Sequence, residues 1–162
     1  MPEAPRFIDL PETTIVGIRV TAPFEQLFTA VPEAWRLVFA RADELGERLD
    51  EGFVDCSLGE VSGVYTELIG GRFPLGASAP DGFEAIKLPA ARYATVQHLG
   101  DVRSIARSFG DLERWVTEQQ PTASGERWVH DGVKLDIGYL PAMAETSPYG
   151  GRHTLYIRLE RR

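Results

Sequence analysis

The chain has 162 residues, enough for one domain with a substantial core, and its 43% hydrophobic and 25% charged content is ordinary for a globular protein. A net charge of −7 argues against general nucleic-acid binding and against docking on anionic membranes, both of which need a basic surface. The lone cysteine, Cys56, has no internal disulfide partner, which fits a reducing compartment. With no signal-like start and no membrane-length apolar run, a cytoplasmic location is expected.

Residues 1–13 read as a lead-in, because Pro2, Pro5 and Pro11 oppose regular structure. Thr14 to Thr21 is rich in β-branched residues and predicts a strand. Val31, Trp35, Val38, Phe39, Ala42 and Leu45 then recur at three- and four-residue spacing, which predicts a helix with Pro32 in its first turn and Gly52 at its end. Phe53–Leu58 and Val61–Ile69 are strand candidates joined by a turn over Gly59 to Gly63. Residues 70–82, rich in Gly, Pro, Ser and Ala, read as a linker.

Phe83–Leu88 is a short strand stopped by Pro89, and Arg92–Leu99 alternates as a second one. Gly100-Asp101 offers a helix cap, and Val102, Ile105, Ala106, Phe109, Leu112, Trp115 and Val116 form another helical stripe. Trp128 to Tyr139 is extended, with Asp131-Gly132 read as a hairpin turn. Pro148 to Gly151 is a turn, and Thr154–Leu159 is the last strand.

This order repeats. Two strand–helix–strand–strand modules, about residues 14–69 and 83–159, predict a single α+β domain over residues 1–162. Its sheet is mostly antiparallel, two main helices pack on it, and a cleft lies between the halves. No phosphate loop, zinc pattern or nucleophile elbow is present, so neither a metal nor a cofactor is expected. His98, His130 and His153 are far apart in sequence and read as structural, and Cys56 reads as a small buried hydrophobe.

The aromatics carry the functional expectation. Tyr65 and Tyr139 hold matching places on the closing strands of the two modules, and Trp35 and Trp115 do so on the helices. Glu67 and Asp136 stand among apolar strand residues, where a buried carboxylate demands a partner. Strict alternation puts Tyr65 on the same face as Glu67, but pairs Asp136 with Gly138 rather than with Tyr139. Trp35, Tyr65, Glu67, Tyr93, Trp115, Asp136, Tyr139 and Tyr156 are the candidate ligand-binding residues; no catalytic residue is assigned.

The run Phe83 to Gly100, with Leu88-Pro89, Tyr93-Ala94 and Gly100 before a helix that carries Trp115, resembles the signature of GyrI-like small-molecule-binding domains. Val31-Pro32-Glu33-Ala34-Trp35 and Gly63-Val64-Tyr65-Thr66 resemble the first half of its stand-alone members. The resemblance implies a duplicated module whose cleft takes lipophilic or cationic aromatic compounds, with an acidic residue flanked by aromatics. Such domains also serve as effector-binding halves of transcription regulators. The usual acidic position on the last strand is Thr154 here, which leaves the anchor to Asp136 or to Glu67. Two alternatives stay open: a hydrolase of reactive electrophiles on the same fold, and a protein-interaction module such as a gyrase modulator.

Overall fold

The computed structural model describes residues 3–101, 104–141 and 151–162. Eight strands and two helices follow in the order β1 (Arg6–Leu10), β2 (Thr13–Pro23), α1 (Phe24–Ala40), β3 (Phe53–Val61), β4 (Val64–Phe73), β5 (Glu84–Leu88), β6 (Ala91–Gly100), α2 (Ile105–Glu118), β7 (Trp128–Tyr139) and β8 (Gly151–Arg161). All eight strands form one sheet in the spatial order β1-β6-β8-β7-β3-β4-β2-β5. Every pairing is antiparallel. This is an α+β architecture.

The strand order reads as two triplets, β6-β8-β7 and β3-β4-β2, joined where β3 meets β7. The register makes the equivalence residue by residue. Asp55 lies opposite Asp136 across the junction. Asp55 pairs with Ile69 in its own half, and Asp136 pairs with Leu155 in the other. Stepping two residues along each closing strand places Glu67 and His153 in equivalent positions, paired with Val20 and His98 respectively.

The lead strands are exchanged. β1 precedes β2 in the chain but pairs with β6, with Ile8 opposite Tyr93. β5 precedes β6 but pairs with β2, with Ile86 opposite Ile15. Each half therefore supplies the outer strand of the other.

Both helices cover the same face. Val20, Ala22, Phe53 and Ile69 bury against Ala34, Trp35 and Val38 of α1. Ala94, Leu155, Ile157 and Leu159 bury against Ile105, Phe109, Leu112 and Val116 of α2. The opposite face holds Ile15, Val54, Cys56, Leu68, Tyr93, Leu135 and Ile137. Ile8 and Leu10 from one edge strand and Ile86 from the other pack onto that same cluster, so the sheet curls toward it.

Several local expectations are corrected. α1 starts at Phe24, so Pro32 lies inside the helix and not in its first turn. A proline there gives up one backbone bond, a loss that burial of the Trp35–Val38 stripe outweighs. The helix ends at Ala40, not Gly52, and a 3-10 turn over Ala42–Glu44 follows. Strand β4 runs on into the expected linker through Phe73, and the β3–β4 turn narrows to Ser62-Gly63. Asp131-Gly132 does not reverse the chain: β7 is one strand, and the two residues fall where its register with β8 shifts between His130 and Lys134. Helix α2 takes Ser104 as its N-cap position, and the Val102 part of the expected stripe lies outside the described residues. So does the turn expected at Pro148 to Gly150.

Candidate functional site

On the helix-covered face, β3 and β7 run between the two helices. α1 packs on β2 and β4, while α2 packs on β6, β7 and β8. The strip between them carries Asp55, Ser57, Glu67 and Lys134, each partly exposed, whereas Ile69 and Leu155 beside it are fully buried. The result is a groove along the junction with a carboxylate-rich floor.

Asp136 is fully engaged on that floor. Its Oδ2 accepts from the Tyr139 hydroxyl at 2.7 Å, and its Oδ1 lies 2.7 Å from His153 Nδ1. Both partners are buried, and the Tyr139 ring meets the His153 ring edge-on at 4.7 Å. Trp35 of α1 stacks on Tyr139 at 4.4 Å and closes this end of the groove.

The pairing of Asp136 with Tyr139 overturns the face assignment drawn from strict alternation. Phe53 pairs with Tyr139 and Val54 with Ile137, which leaves Gly138 as an extra residue in β7. The bulge turns Tyr139 onto the face of Asp136. Gly138 has φ +157 and a Cβ there would meet Arg152 O at 2.5 Å, so only glycine fits the crossing.

Asp55 is the equivalent of Asp136 but is not satisfied in the same way. Its Oδ1 is buried with no hydrogen-bond partner among the described residues. Where Asp136 finds His153, Asp55 has Glu67, a second acid. Burial pushes the Asp55 carboxyl well above the ordinary carboxylate range, and repulsion from Glu67 and Asp136 adds to the shift. Glu67 is pushed up to about 6, by burial first and then by Asp136, with Lys134 pulling the other way. Burial and the neighbouring Asp136 also raise the Tyr139 phenol, so it stays a hydrogen-bond donor at neutral pH. Lys134, a cation on this floor, stands over the Phe109 ring at 5.3 Å.

Of the eight residues singled out from sequence, Trp35, Glu67, Asp136 and Tyr139 come together here. Tyr65 joins them from one end: its β2 partner Ala22 and the Glu67 partner Val20 both face α1, so Tyr65 and Glu67 share the groove side. Tyr93 and Tyr156 do not. They meet edge-to-face at 6.1 Å on the opposite side of the sheet. There Tyr156 lines a separate cavity of about 550 Å3 with Ile137, Thr154 and residues 50–52. Trp115 packs against Phe7 of β1, away from the junction.

Asp55 and His153 escaped the sequence reading. Asp55 sits between Val54 and Cys56 much as Asp136 sits between Leu135 and Ile137. That shared pattern was the available signal. His153 gave none, since only the register shows that it answers Glu67.

Two repeats that meet along a groove floored by carboxylates and closed by stacked rings make this a small-molecule-binding module. The chain belongs to the GyrI-like small molecule binding domain family, whose model matches residues 3–127. That span contains Asp55 and Glu67 and ends just before β7. No curated protein sequence matches the chain. Among solved structures it is similar to the EcmrR C-terminal domain (TM-score 0.70, 12% identity, 98% of each chain covered). It is also similar to SAV2435 bound to tetraphenylphosphonium (TM-score 0.67, 12% identity, 98% of this chain and 94% of that one). A third similar structure is an integron cassette protein of Vibrio cholerae (TM-score 0.58, 12% identity, 99% and 97% covered). At such identities the likeness is one of fold. Among the described residues no helix is long and apolar enough to cross a membrane.

Proposed function

We propose that the protein captures lipophilic organic cations in the junction groove, with the positive charge settling against Asp55 and Glu67 and the apolar part against the rings that flank them. One observation carries this reading: the duplication that gives Asp136 a histidine partner gives Asp55 a second carboxylate. A buried carboxyl in that position is costly until a cation arrives. An organic cation in the groove would supply to Asp55 a compensating charge, at the place where Asp136 has the His153 ring nitrogen at 2.7 Å. The tetraphenylphosphonium on SAV2435, a protein of the same fold, is a ligand of the fitting kind. We place this activity in the cytoplasm, where the buried Cys56, its thiol pushed up to about 12, needs no oxidised partner.

The charge chemistry sets the test. The Glu67 carboxyl is pushed up to about 6 in the empty groove, and a permanent cation binds best to the ionised form. Binding therefore displaces protons. Titration of tetraphenylphosphonium by calorimetry should show affinity that rises with pH between 5 and 8 as the raised carboxyls of Glu67 and Asp55 ionise. The same titration run in buffers of different ionisation enthalpy should report proton release. Affinity independent of pH between 5 and 8 would remove the carboxylates from the reading.

A further inference from the structure

The first turns of α1 carry two large rings that the core does not use. Phe24 is 55% exposed and Phe28 is 71% exposed. They meet edge-to-face at 5.3 Å, and Phe24 also lies 5.9 Å from Tyr65. Contiguous exposed rings of this kind are uncommon unless they bind something.

Their position says what. Phe24, Phe28, Val31 and Trp35 fall on one stripe of α1 at spacings of four, three and four residues. The stripe begins exposed at Phe24 and Phe28 and ends buried at Trp35, which stacks on Tyr139 above Asp136. Alongside it, β4 presents Tyr65, Glu67 and Ile69 on the same face. Tyr65 and Glu67 are two steps apart along the strand, a distance of about 7 Å. An open aromatic end thus leads directly onto the carboxylate floor.

Resting on the cation-binding reading, we propose that Phe24, Phe28 and Tyr65 form an aromatic shelf at the mouth of the groove. The shelf takes an aryl ring of a ligand whose positive charge lies about 7 Å further in, at Glu67. Ring-on-ring contact makes the site selective for aryl cations over alkyl cations of the same charge. The acid floor and the ring shelf act on different parts of one molecule: charge selects the class, and the shelf selects within it.

The test compares tetraphenylphosphonium with tetrabutylphosphonium, which has the same charge and no rings. In Phe28→Ala, affinity for the aryl cation should fall by about fivefold relative to the alkyl cation. Phe28→Trp should restore the preference. Because Phe28 is largely exposed, its removal leaves the fold in place, and an unchanged melting temperature verifies this. Glu67→Gln should weaken both ligands alike. If Phe28→Ala and Phe24→Ala leave the aryl-to-alkyl ratio within twofold while Glu67→Gln weakens binding, the shelf is wrong and the cation site stands. If the unaltered protein binds neither cation, both fall together.

Discussion

Asp55 and Asp136 occupy the same place in two copies of one module, and the neighbour each one meets decides its chemistry. Asp136 is held by a phenol and an imidazole, so its charge has local partners. Asp55 faces Glu67: burial, then Glu67 and Asp136, keeps the proton on Asp55, while burial and Asp136 keep it on Glu67. The Glu67 shift, from 4.5 to about 6, corresponds to about 2 kcal/mol of folding free energy given up once both states are ionised. The sign follows from linkage. The folded state holds the proton more tightly, so stability is lost as pH rises from the unfolded value through the folded one. Glu67→His copies the satisfied half onto the unsatisfied one. It should raise stability at pH 7 by about 1–3 kcal/mol in urea unfolding and cut tetraphenylphosphonium affinity at least about tenfold. A variant that gained stability and kept its affinity would show that Asp55 and Glu67 do not hold the cation.

At the scale of elements, periodicity read well where a pattern met a buried face and failed where a single residue changed the register. The α2 stripe of Ile105, Phe109, Leu112 and Val116 is buried as its spacing implied. Strand β6 likewise follows its alternation, with Tyr93 on one face and Ala94 on the other. The bulge at Gly138 was not legible, because one inserted residue inverts every later face and leaves only a glycine as its trace. Gly70-Gly71 was mistaken for linker for a similar reason: glycine pairs signal loops, yet here they permit contact. Gly17 and Gly70 are cross-strand partners, and a Cβ on Gly70 would lie 1.9 Å from Val16 O. Gly70→Ala should therefore lower stability by about 1–3 kcal/mol, read from the shift in urea midpoint at unchanged slope. A shift under about 0.5 kcal/mol would mean that β2 and β4 part easily at this point.

For the whole molecule, the repeat was readable because each half places an aromatic on its helix and a short apolar strand around one acid. Which face each aromatic serves was not readable, since that depends on how the sheet curls. Tyr93 and Tyr156 match the groove residues in type and lie behind them, on the far side of the sheet. Four of the eight candidates meet at the junction and Tyr65 flanks them. The ones that stray belong to β6, β8 and α2, whose relation to the junction is fixed by long-range pairing alone.

The exchanged outer strands reach beyond binding. A chain cut in the exposed turn near residues 76–80 would yield two fragments, each carrying a border strand that only its counterpart can seat. Neither piece should be cooperative alone, because each would leave one margin of its triplet bare and its own leading strand idle. Mixed in equal amounts, they should reassemble as a one-to-one complex with a sharp thermal transition, detectable by circular dichroism and light scattering. Independent folding of either fragment would mean that the interlock is ornamental. A sharp transition seen only in the mixture would mean that the halves, and the groove they frame, hold shape as a mutual clasp.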